Sequence, residues 1–188
     1  MTDSTQRESG LVGILHRAGR VLLRLKLPWS LVPPALWVLL IWLASEFAGA
    51  PAGARGLFFK VLGNGMHAFE FGILTLLALP LARRQALAEG GHIGNWVCLA
   101  RPQALGILAF ALVCAVTDEV HQIWVPGRVG SAFDVLTDVT GAGCVLWIAS
   151  YLAREDADEA GLRRRLGLGI LACTAAACIS TLSDRMAG

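Results

Sequence analysis

Five long apolar runs alternate with short polar stretches along the chain, at roughly 29–49, 64–82, 104–125, 133–153 and 166–182. Hydrocarbon offers no partner to a backbone N–H or C=O group. A run of about 20 residues that enters a bilayer must therefore satisfy those groups within itself, as a helix. The pattern predicts an all-α, polytopic membrane helix bundle of four to five spans, the second and fifth runs being the short ones. Ahead of the first run, Leu11, Ile14, Leu15, Leu22 and Leu25 interleave with His16, Arg17, Arg20, Arg24 and Lys26. That mixture suits a basic amphipathic helix lying among lipid headgroups, and a disordered basic tail is the alternative. Pro28 and Pro33-Pro34 separate it from the first run. The expected organisation is a cytoplasmic basic or interfacial segment, 1–28, followed by a transmembrane domain, 29–188.

Composition agrees with lipid as the solvent. Hydrophobic side chains make up 55% of the 188 residues and charged ones 16%. Soluble domains run at about 45–50% and about 25%. The formal net charge of +2 is too balanced for a nucleic-acid partner. Five cysteines, four of them inside apolar runs and none in a CxxC pair, read as small packing residues. Ala48-Gly49-Ala50 fits a signal-peptidase site, but a basic region of nearly thirty residues and Trp29, Trp37 and Trp42 argue for a retained span.

Charge then orients the bundle. Five Lys and Arg precede the first run, three lie between the second and third (Arg83, Arg84, Arg101) and four between the fourth and fifth (Arg154, Arg163, Arg164, Arg165), twelve in all. The alternate loops and the tail hold four: Arg55, Lys60, Arg128 and Arg185. Positive residues collect in the cytoplasm, so the expectation is a membrane protein with its N-terminus inside.

Ionisable side chains near membrane depth cost several kcal/mol and mark functional sites by default. In this chain they gather at the ends of the runs that face outward in that topology. The first run closes with Ser45-Glu46 and the second opens with Asn64, His67 and Glu70, the last two one helical turn apart. The third ends in Asp118, Glu119, His121 and Gln122. A Pro126-to-Ser131 loop carrying Arg128 follows, and the fourth opens with Asp134 and Asp138 on one face. Gly141 would let a neighbouring helix approach closely. Taken singly, each element has a plainer reading: His67 and Glu70 as an interfacial pair, Asp134 as an N-cap, Gly127 and Gly130 as turn residues. Their joint placement on one side predicts a single extracytoplasmic polar pocket.

Two blocks of residues resemble the VanZ-like family of small bacterial membrane proteins. One is His67-x-x-Glu70 with Phe69 and Phe71. The other runs Glu119-x-x-Gln122, Pro126-Gly127-Arg128 and Asp134-x-x-x-Asp138-x-x-Gly141-Ala142, similar in order and spacing to the family's E-x-x-Q, P-G-R and D-x-x-x-N-x-x-G-A. Asp138 stands where many relatives carry Asn, which adds an acid to the pocket. Ser45 also fits. The resemblance spans about 29–152 and implies a context, resistance to teicoplanin-type lipoglycopeptides, without a settled reaction.

Three chemistries remain open. In the first, His67, Glu119 and Asp134 hold a divalent metal (Zn, Mn or Mg) that acts on a membrane lipid or lipid-linked envelope precursor, with Arg128 gripping phosphate or carboxylate and Gln122 orienting a substrate oxygen. A metal-free version uses Glu119 as general base beside Asp118, with His67 as its partner. The catalytic candidates are thus His67, Glu70, Asp118, Glu119, Gln122 and Asp134, with Arg128, Asp138, Ser45 and His121 binding. In the third, the pocket is non-catalytic or transporter-like, recognising a ligand such as the glycopeptide through Arg128 and using the acids as a proton relay. A small ridge, Ala172, Ala176 and Ser180, could join copies of the chain into a homo-oligomer.

Overall fold

The computed structural model describes residues 10–23, 26, 28–47, 57–88, 99–126 and 128–187. Ala48-Gly49-Ala50, Cys98 and Gly127 lie outside them. Six helices follow in order: α1 Leu11–Leu23, α2 Val32–Phe47, α3 Leu57–Ala88, α4 Arg101–Trp124, α5 Ala132–Leu152 and α6 Glu159–Ala187. No strand occurs among the described residues. Among the described residues, four stretches are long and apolar enough to cross a membrane: Leu57–Ala82, Arg101–Trp124, Ala132–Leu152 and Glu159–Ser183. The chain is a multi-pass helical membrane bundle. The largest differences from the hydropathy reading are at two helix starts. α3 begins at Leu57, seven residues before 64, because Lys60, Gly63 and Asn64 depress local hydropathy without breaking the helix. α6 begins at Glu159, ahead of Arg163, Arg164 and Arg165.

The first apolar run becomes a helix of only 16 residues, Val32–Phe47, because residues 28–31 form a turn before it. At 1.5 Å per residue it is roughly 24 Å long. It nevertheless joins the two ends of the bundle. Just before it, α1 is fastened where α5 stops and α6 starts. The Val12 N–H donates to Glu159 Oε1 at 2.8 Å, and His16 Nε2 lies 2.9 Å from the Leu152 carbonyl. At its far end, Ser45 meets Asp118 near the C-terminus of α4. α5, 21 residues long, separates these two levels.

α1 presents Val12, Gly13 and Gly19 inward and leaves Leu11, Ile14 and Val21 exposed beside Arg17 and Arg20. This mixed outer surface suits the headgroup region.

The interior is stacked in three levels. Next to α1, Val12, Leu79, Ile107, Leu146, Leu152 and Leu162 pack together. Midway, Ile41, Phe71, Leu74, Ala111, Ala115 and Ala142 form a second cluster. Beyond it, away from α1, the buried residues turn polar: Ser45, Asp118, Glu119, Gln122, Asp134, Thr137, Asp138, Ser180 and Thr181. Large apolar side chains such as Leu36, Leu40, Leu105, Val113, Ile170 and Leu171 face outward. That inversion of the soluble pattern is what a lipid solvent selects.

α3 and α5 cross in close contact. A Cβ at Gly141 would strike the Ala68 backbone carbonyl, so glycine is what permits the approach. At the α1 end, the Arg165 guanidinium lies 3.7 Å from the Tyr151 ring centroid and 5.3 Å from that of Trp147. Cys114, Cys144, Cys173 and Cys178 are free thiols, with Cys144 and Cys173 packing α5 on α6, their Sγ atoms 4.0 Å apart. Of the small ridge on α6, Ala176 and Ser180 are buried inside the chain itself and Ala172 is exposed.

Candidate functional site

The polar level is built from the ends of five helices. α2 delivers Ser45, whose hydroxyl donates to Asp118 Oδ1 at 3.0 Å. Asp118, Glu119 and Gln122 occupy the last two turns of α4. Their i, i+3 and i+4 spacing lets Gln122 Nε2 donate to Asp118 Oδ2 at 2.8 Å and to Glu119 Oε1 at 3.1 Å. Glu119 Oε2 accepts the Ser131 N–H at 2.6 Å, so the loop before α5 is held against α4. Gly130 makes this possible, since a Cβ there would sit 2.8 Å from the Glu119 carbonyl oxygen.

Ser131 is the N-cap of α5, its Oγ accepting the Phe133 N–H at 3.3 Å. Asp134 is therefore not the cap. Its Oδ1 accepts a 2.5 Å hydrogen bond from the Ser180 hydroxyl of α6, and Asn64 Nδ2 of α3 donates to Ser180 Oγ at 2.9 Å and Thr181 Oγ1 at 3.1 Å. The sequence reading took Ser180 as a packing residue. Its signal was a hydroxyl pair, Ser180-Thr181, at the same level of α6 as Asn64 on α3.

Between these two networks stands Asp138. It is fully buried, and neither oxygen has a hydrogen-bond donor among the described residues. His67 Nδ1 lies 3.3 Å from its Oδ1, without hydrogen-bond alignment. His67, Glu119 and Asp138 each place one potential ligand atom within 4.8 Å of the others. By distance, the converging donor set contains Asp138 where the sequence reading had Asp134.

The remaining candidates lie around this centre. Glu70 is half-buried, within electrostatic reach of His67, Asp118 and Arg128, and its carbonyl accepts the Trp37 indole N–H at 2.8 Å. Arg128 is half-buried, its Nε out of solvent and without a hydrogen-bond partner among the described residues. His121 turns toward α2, stacked on Trp42 with ring centroids 5.1 Å apart and 3.7 Å from Glu46. It stands with α2 and outside the convergent donor set.

At the opposite end, outside the spans, the only lowered acids among the described residues are loop groups. Asp158 is held below the usual carboxylate range by the Tyr151 hydroxyl and the Gly161 N–H, and Asp156 by Arg154.

A family model described as VanZ/LLP1 matches residues 20–153, more than two thirds of the chain. This chain belongs to the VanZ/LLP1 family. The matched segment holds α2 to α5 and with them every polar-level residue named above except Ser180 and Thr181 on α6. Among curated proteins and solved structures, nothing matches the chain.

Proposed function

We propose that this VanZ/LLP1 protein resides in the bacterial cytoplasmic membrane with α1 inside, and that its polar level faces outward to take the headgroup of a lipid or lipid-linked envelope precursor. In that role it would lessen susceptibility to teicoplanin-type lipoglycopeptides, the context attached to the family. The observation that carries the reading is the burial of four carboxylates around His67, with Arg128 within electrostatic reach of the neighbouring Glu70, at the end of the bundle away from the basic α1. Proteins do not gather such groups in a lipid-facing fold for packing alone, since each costs several kcal/mol to bury. The cation distribution supports the orientation.

A groove of about 700 Å³ between α3, α5 and α6 supports a lipid ligand. It is lined by apolar side chains including Leu62, Phe69, Leu76, Val145 and Ile170, and its Gly65 and Ala68 adjoin Asn64 and His67 of the polar level. A hydrocarbon chain lying there would leave its headgroup at the level of Asn64 and His67. Arg128, with a donor to spare, is suited to a phosphate or carboxylate on that headgroup.

The test is drug susceptibility in a sensitive host. The wild-type chain should raise the inhibitory concentration of teicoplanin, and Glu119→Gln, Arg128→Ala and Asp134→Asn, at matched membrane levels, should abolish the rise. Full protection by all three variants would reject the pocket as the functional site.

A further inference from the structure

Asp118, Glu119, Asp134 and Asp138 are all buried, yet only three of them are supplied with donors. Ser45 and Gln122 serve Asp118, Gln122 and Ser131 serve Glu119, and Ser180 serves Asp134. Asp138, with no solvent exposure, has none among the described residues; its Oδ1 lies 3.3 Å from the buried His67 Nδ1, an ion-pair distance without hydrogen-bond alignment. A carboxylate left in this state costs several kcal/mol unless something neutralises it.

We propose that His67, Glu119 and Asp138 form the binding site of a divalent metal ion of the zinc or manganese class. One imidazole and two carboxylates, with no thiolate, are the donors such ions take. In a tetrahedral site with bonds of ~2.0 Å, donor atoms lie roughly 3.3 Å apart. The His67–Asp138 pair stands at 3.3 Å, and the whole set lies within 4.8 Å, so binding would need only a small inward shift of the donors.

Glu119 is already aimed by Gln122 and the Ser131 N–H. Each carboxylate oxygen has two lone pairs, so it keeps these bonds while ligating. Three protein ligands leave one position for water or a headgroup oxygen, where the ion would act as a Lewis acid. The alternative is a proton shared by His67 and Asp138, which takes up no metal.

This site lies within the polar level invoked above, and metal uptake is measured on purified protein, so it can fail while the drug-susceptibility result stands, and the reverse. The full chain in detergent is stripped with chelator, titrated with Co²⁺ by visible absorption, and loaded with Zn²⁺ for elemental analysis after desalting. We expect about one ion per chain. Asp138→Asn and His67→Gln should weaken it by more than about 10-fold, the low end of what losing even an outer-shell partner costs. Glu46→Gln should bind as the wild type does. A wild-type chain that retains no stoichiometric ion at micromolar Zn²⁺ and Co²⁺, or an Asp138→Asn chain that binds with unchanged affinity, overturns the proposal. Should the variants fail to fold, the wild-type stoichiometry decides alone.

Discussion

Gly141 of α5 lies against the backbone carbonyl of Ala68 in α3, with no room for a methyl group between them. The obstacle is main chain, which cannot swing aside as a side chain can. Gly141→Ala should cost about 1–3 kcal/mol, the usual range for overpacking, and lower the temperature of thermal aggregation in detergent. Gly106→Ala and Gly143→Ala, where an added Cβ meets nothing within 4 Å, should leave it unchanged or raised.

The Ser45 hydroxyl bonds Asp118 at 3.0 Å, a buried polar tie between α2 and α4 at this level. Ser45→Ala would leave Asp118 with Gln122 as its donor in a buried setting. A destabilisation of about 1–3 kcal/mol is expected, read as a lower unfolding midpoint. Ser45→Thr should recover most of it.

Tyr151 joins α5 to α6 in two ways. Its hydroxyl donates to Asp158 Oδ1 at 2.7 Å and accepts the Asp158 N–H at 2.9 Å, while its ring stacks under Arg165. Tyr151→Phe removes the first and keeps the second. Asp158 is held below its unfolded value, so its contribution to stability is present above about pH 4 and is lost as pH falls through the lowered value. Melting curves of wild type and Tyr151→Phe should therefore differ at neutral pH and converge in acid. A constant difference across that range would mean Asp158 takes no part.

Orientation is checked with single cysteines in a cysteine-free background. Val129, exposed in the loop before α5, and Glu155, exposed in the turn before α6, lie at opposite ends of the bundle. A membrane-impermeant maleimide added to intact cells should label Val129→Cys and reach Glu155→Cys only after permeabilisation. The reverse pattern would invert the topology.

The helices were legible because hydrocarbon imposes a simple rule on composition, and that rule sees length and apolarity. It does not see helix continuity, which is why α3 reaches back to Leu57 through Lys60 and Asn64, polar residues that lower hydropathy without ending the helix. The polar level was legible as a depth, since alternating direction puts the ends of α2 and α4 beside the starts of α3 and α5. Which donor serves which acid was not. That depends on how each helix is rotated and which neighbour it meets, so Ser180 for Asp134 emerges only once α6 is docked, and Asp138 in the convergent set only once α3, α4 and α5 are packed together.

The Asn64–Ser180–Asp134 relay has a practical consequence for anyone trimming the protein to its family-matched core. The segment 20–153 stops short of α6, so an excised core would carry Asp134 stripped of its hydroxyl and Asn64 facing a vacated wall. The C-terminal helix, though it contributes nothing to the recognisable signature, is thereby a structural prerequisite for it.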